Sequence, residues 1–259
     1  MKKLMFALAA VAAGAVFAEE EAQPQVTSQN IVGYTTKDVD ADTYVMIGCP
    51  FEAVGGEELH INDFIKGGDA MYFPDGQEEN FAELQVQKEG GDYTFYWLEW
   101  DGDDEENPNF FWNSLGSGEA DFTVKPGFSC WFKNTRACTI TVAGQVTDTS
   151  KDSITVDANT YTMIANPFPE AVKLNSDKVD CKALSAMYYP EGQEENVAEI
   201  QILNADGGYD YYWLEWDGDD EENPNFFWNT LSGEDDVTIP PMTGFWLLDP
   251  QGGTIKFVL

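Results

Sequence analysis

Histidine is almost missing from this sequence: His60 is the only one. A Ser–His–Asp set has no second imidazole to draw on, and no phosphate-cradling glycine loop follows a strand and opens a helix. The common hydrolase and nucleotide chemistries therefore have no starting point, and the chain reads as not an enzyme. Zinc is excluded on similar grounds, because the spacing of the four cysteines does not suit a tetrahedral site. Basic residues are scarce too, 13 Lys and Arg against 47 Asp and Glu, for a formal net charge of −34. Such a field repels nucleic acid and anionic lipid, so neither is an expected partner. Beyond the N-terminus no run is long and apolar enough to cross a bilayer, and no stable membrane insertion is expected.

The first eighteen residues, MKKLMFALAAVAAGAVFA, have the form of a secretory signal peptide. Lys2 and Lys3 charge its start, Leu4 to Val16 form an apolar core, and Val16-Phe17-Ala18 fits a small-residue cleavage site. Its apolar run is short of the ~20 residues of a membrane anchor. Cleavage would remove two basic residues and no acidic ones, moving the charge from −34 to −36. The expectation is an exported protein, extracellular, on the cell surface or in the periplasm. Residues 19–29 read as a flexible arm.

What is abundant is aromatic residues, 14% of the chain, too many for a disordered acidic tail. They gather in a repeat. Trp97 to Asn113, WLEWDGDDEENPNFFWN, returns unchanged at Trp213 to Asn229. Each copy sets six carboxylates between two aromatic clusters. Other stretches match more loosely. Asp40-Ala41-Asp42-Thr43-Tyr44 answers Asp157-Ala158-Asn159-Thr160-Tyr161 at a spacing of 117. Met71 to Asn80 answers Met187 to Asn196 at 116.

Short apolar, β-branched and aromatic runs punctuated by Gly, Pro, Asn and Asp predict strands throughout. Ala82, Leu84 and Val86 alternate with polar residues, as in a half-buried strand. The strand after Gly90-Gly91-Asp92 is apolar on both faces, Tyr93, Phe95 and Trp97 on one, Tyr96, Leu98 and Trp100 on the other. It is expected to be central, or covered by the other repeat. Phe110-Phe111-Trp112 should return as its partner. Leu59, Ile61, Phe64 and Ile65 suggest one short helix ended by Gly67-Gly68, with His60 on its surface. The fold class is all-β: two tandem copies of a small antiparallel β-sandwich or barrel-like domain, each with at most one short helix. The boundaries are 1–18 signal peptide, 19–29 arm, 30–146 first repeat, 147–152 linker and 153–259 second repeat.

The order of these pieces resembles a loose class of uncharacterised secreted bacterial β-rich proteins. Its marks are an N-x-V-G-Y start, an apolar strand ending in A-N-P, a tryptophan-bearing middle and a P-G-x-G-F-like strand. The matching stretches are Asn30 to Tyr34, Met46 to Pro50 with Met163 to Pro167, and Lys125 to Phe128. The second half lacks the Gly-Tyr start, and Thr243-Gly244 stands where Pro126-Gly127 is expected. The resemblance implies a β-rich exported fold and adds no activity.

Three site readings follow. Hard oxygen ligands crowded on a loop suit Ca²⁺. Asp101, Asp103 and Glu105, with Glu78 and Glu79 from the GQEEN turn, could form one cage, and Asp217, Asp219, Glu221, Glu194 and Glu195 its copy. The competing reading is a solvated loop that keeps an aromatic hairpin soluble. Trp97, Trp100, Trp112, Trp213, Trp216 and Trp228 could stack on sugar rings, or fill the core. In an oxidising compartment the four cysteines suggest disulfides, Cys130 with Cys138 and Cys49 with Cys181, or buried thiols. The functional expectation is a non-enzymatic structural or adhesive surface protein, Ca²⁺-ordered through its acidic loops. The alternative is a carbohydrate-binding module. Expected partners are glycans, other surface proteins or a second copy of the chain.

Overall fold

A computed structural model describes residues 32–73, 81–101, 109–114, 118–146, 153–189, 196–217, 224–230 and 237–258. The chain is all-β, with one short α-helix, Ile61–Phe64, among these residues. Ile61 and Phe64 of that helix, and Ile65 after it, are buried as their spacing predicts.

In the first half a sheet runs in the order Val45–Gly48, Ser129–Lys133, Glu83–Gln87, Tyr93–Asp101, Asn109–Ser114, Gly118–Glu119. Met71–Phe73 adds in parallel beside the far end of Tyr93–Asp101. In the second half the order is Thr162–Ala165, Gly244–Leu248, Glu199–Leu203, Tyr209–Asp217, with Asn225–Asn229 on Tyr209–Asp217 and Met187–Tyr189 parallel to it. Apart from Gly118–Glu119, which has no counterpart among the described residues of the second half, the two orders agree. So do the registers: Trp131 lies opposite Met46 and Gln85, and Trp246 opposite Met163 and Gln201.

Alternation decides which face of each sheet is dry. In the first sheet Val45, Ile47, Leu84, Leu98, Cys130 and Phe132 point inward. They meet Val39, Ile140 and Val142 from an antiparallel ribbon of Val32–Val39 with Cys138–Gln145, whose inner positions alternate with exposed ones. In the second half Ser153–Val156, Gly253–Phe257 and Val179–Asp180 take the ribbon's place, and Val156, Ile255 and Phe257 complete the core. Each half is thus a sheet packed on a narrow ribbon over its own core.

The pairing also corrects an alignment. Gly127 corresponds to Met242, and Pro126 to Pro241, because Ser129 and Gly244 occupy matching places beside Gly48 and Ala165. Gly127 and Met242 share a positive φ, 88° and 55°. Methionine holds there a backbone conformation that favours glycine, its side chain buried in the core of the first half. The spacing between matching residues therefore falls to 115 by the last strands.

The halves meet edge to edge, reciprocally. Ile47 bridges to Thr243, and Phe128 to Ile164. The Gly48 N–H donates to the Met242 carbonyl at 3.1 Å, and the Ala165 N–H to the Gly127 carbonyl at 2.9 Å. Close approach needs small residues here. A Cβ on Gly48 would lie 2.2 Å from the Ala165 Cβ, and one on Gly244 2.0 Å from the Ser129 Oγ.

Candidate functional site

The repeated stretch is a hairpin in each half: Tyr93–Asp101 pairs with Asn109–Ser114, and Tyr209–Asp217 with Asn225–Asn229. Leu98 and Trp112 point into the first core, Leu214 and Trp228 into the second. Trp112 and Trp228 are fully buried, so neither belongs to a sugar platform. Their flanking apolar neighbours put them on the dry side of the pleat.

Trp97, Glu99 and Asp101 occupy the opposite face. The Trp97 indole N–H donates to Glu99 at 2.5 Å, and the Asn113 amide donates to its other oxygen at 2.8 Å. Trp213, Glu215 and Asn229 repeat this at 2.6 and 3.0 Å. Both glutamates are 5% exposed although they lie on an outer face. A carboxylate so enclosed is tolerated because both oxygens are hydrogen-bonded, and it fixes the indole in place. Sequence reading placed Glu99 with the acidic loop and overlooked this role. The signal was the two-residue period, which sets Glu99 beside Trp97 and opposite Leu98.

Asp101 and Asp217 accept the Asn109 and Asn225 backbone N–H groups, each at 3.4 Å, and so close the hairpins. Asp103, Glu105, Glu78, Glu79, Asp219, Glu221, Glu194 and Glu195 lie outside the described residues. Among the described residues no group of three His, Cys, Asp or Glu is placed to hold a metal. Trp100 and Trp216 are half-buried at the end of the inner face, Trp216 against Tyr188 with ring centres 4.8 Å apart.

Beyond Tyr93, which packs against Trp246, the central strand is not covered by the other half. Phe95 and Tyr211, in matching positions, are 57% and 52% exposed. The outer face continues through Trp131 and Trp246, whose ring centres lie 6.4 Å apart across the junction. Tyr44 and Tyr161 flank these rings. The Tyr44 hydroxyl donates to Glu83 at 2.5 Å, and that of Tyr161 to Glu199 at 3.0 Å. Burial, then these carboxylates, pushes both phenols up to about 12. Lys133 lies over the Tyr44 ring at 5.5 Å. Sequence reading missed this junction, since no local motif joins residues so far apart.

All four cysteines are free thiols, and no two lie at disulfide distance. Cys49 and Cys181 belong to different cores, which rules out the expected bridge between halves. Cys130 and Cys138 both pack on the first core, but they do not lie at disulfide distance, so the hairpin bridge does not form either. Burial pushes the Cys49 and Cys181 thiols up to about 12. His60 ends a short strand beside the helix, its ring paired with Asp121 at 2.9 Å.

Two polar contacts hold the frame in both halves. The Asp69 N–H donates to the Asn134 side chain at 2.8 Å, and the Ser185 N–H to Asp249 at 2.7 Å. Asn134 and Asp249 are buried, at matching strand ends. Asp69 also binds the Arg136 guanidinium and the Thr135 hydroxyl; Arg136 first, with Thr135 assisting, holds its carboxyl below the usual range against the opposing effect of burial.

Comparison with protein-family models, with curated proteins and with solved structures finds no match to this chain.

Proposed function

We propose that this chain is an exported, non-enzymatic adhesive protein that holds carbohydrate on the outer face of its two sheets. The observation that carries this reading is the Trp–Glu–Asn arrangement, built twice from an identical stretch. An indole locked by a buried carboxylate loses little freedom on binding, and a fixed aromatic surface is what a sugar face stacks on. Phe95 and Tyr211 extend that surface. The non-enzymatic part is supported by Glu99 and Glu215, whose oxygens are committed to holding side chains rather than left as an acid–base pair. A glycan array tests the reading. Wild type should bind neutral glycans and Trp97→Ala/Trp213→Ala should lose most of the signal. An array blank for wild type overturns it.

Ca²⁺ ordering of the acidic loops is a second reading, favoured by the aspartates that close each hairpin directly beside those loops. A native-state ligand must stabilise, so millimolar Ca²⁺ should raise Tm relative to a chelator control. An unchanged Tm sinks it.

A further inference from the structure

We propose that the junction between the two halves is itself a binding cleft for a neutral oligosaccharide; the proposal rests on the carbohydrate reading above and adds a second locus to it. The cleft has a volume of about 480 Å³ and draws Gln87 and Tyr93 from the first half and Tyr161, Gln201, Tyr209 and Trp246 from the second. That volume lies within the ~300–1,000 Å³ usual for small-ligand sites.

Its aromatic rings are set at angles. Tyr93 and Tyr161 stand 88° and 76° to Trp246, each with ring centres 6.4 Å away. Rings so disposed pack edge to face around Trp246 and present a shallow, open aromatic surface on which a pyranose ring can lie. The surface is held from both halves. Gln87 donates to the Tyr161 carbonyl at 2.5 Å and accepts from the Met163 N–H at 2.7 Å, as a strand would. Gln201 donates to the Tyr161 hydroxyl at 2.7 Å. Gln87 is thus committed to backbone, and the Gln201 amide N–H groups and the Tyr161 hydroxyl to one another and to Glu199; the Tyr93 and Tyr209 phenols in the lining are the groups that donate to and accept from sugar hydroxyls.

Charge fixes the ligand class. The described side chains lining the cleft carry no charge, and the carboxylate of Glu199, bonded to Tyr161 and Gln201, stands behind them. Among the described lining residues no cation is present to hold a uronate or sulfate, and the net charge of −34 repels one. The cleft therefore selects a neutral sugar, and it exists only when both halves are joined.

The test uses the full chain, titrated by calorimetry with cellohexaose, laminarihexaose, xylohexaose and chitohexaose, and with hexagalacturonate as the anionic probe. Wild type should bind at least one neutral probe and not hexagalacturonate. Tyr209→Ala/Gln201→Ala should weaken that binding at least about tenfold, the scale of losing one ring that anchors a ligand. Should this variant unfold, Tyr93→Phe/Tyr209→Phe keeps the rings and removes the polar partners, and a loss is again expected. Unchanged binding by the cleft variants with loss in Trp97→Ala/Trp213→Ala overturns the cleft and leaves the adhesive reading standing. Equal binding of hexagalacturonate overturns the choice of a neutral ligand. No binding of any neutral probe by wild type overturns both.

Discussion

Glu99 shows how much a single position carries. Its carboxylate accepts from Trp97 and Asn113 at once. Glu99→Gln replaces one acceptor with a donor that faces a donor, leaving buried polar groups unmatched. We expect a loss of about 1–3 kcal/mol in urea unfolding and a changed Trp97 emission, with Glu215→Gln behaving alike. The buried tryptophans should differ, although their local sequence does not. The Trp112 indole donates to the Ile65 carbonyl at 3.1 Å, whereas the Trp228 indole has no acceptor among the described residues. Trp112→Phe should therefore cost about 1 kcal/mol more than Trp228→Phe in the same assay. Tyr44 and Tyr161 set an alkaline limit. Their folded pKa values, about 12, exceed the ordinary 10, so the folded state binds more protons in that window. Their stabilisation is complete below pH 10 and is lost as pH rises through 12. Tyr44→Phe/Tyr161→Phe should flatten the fall in Tm over that range; an unchanged slope would count against the assignment.

At the scale of elements, the outer face and the core come from one alternation. Leu98 and Trp112 go in; Trp97 and Glu99 go out. That period was legible in the sequence, and it pointed to the strand and its partner; the separation of the buried Trp112 and Trp228 from the half-buried Trp97 and Trp213 came from the structure. The period could not say whether the other face was covered, because covering is done by distant chain. The polar clamp at Asp69 is a second case. Its lowered carboxyl pKa means that stability is present above the unfolded value near ~3.9 and lost as pH falls through the folded one. Asp69→Asn should shift the acid unfolding midpoint upward while blunting its pH dependence below that value. A midpoint unmoved by the change would show that Arg136 adds nothing.

For the molecule as a whole, the junction is the sensitive place. Gly48→Ala would put a methyl 2.2 Å from the Ala165 Cβ, and Gly244→Ala one 2.0 Å from the Ser129 Oγ. Ala165 stands where Gly48 stands in the other half, so one methyl fits between these edges and two do not. Each substitution should cost about 1–3 kcal/mol by overpacking, and split thermal unfolding into two transitions if the halves separate. A single unshifted transition would mean that the contact is not tight.

The sequence by itself determined the class of the fold and the places of its strands, because alternation and turn residues act over a few positions. It also shows an identical stretch, with loose matches around it at nearly constant spacing. Tertiary structure alone decided where the cysteines went. Two cores, one per half, keep Cys49 and Cys181 apart. It alone aligned Met242 with Gly127, through hydrogen-bonded register rather than residue identity. It alone made the cleft at Trp246, because Tyr93 reaches that ring, and Gln87 the strand beside it, only after two separate edges have met. Local periodicity carries no information about such meetings; the packing of one half on the other supplies it.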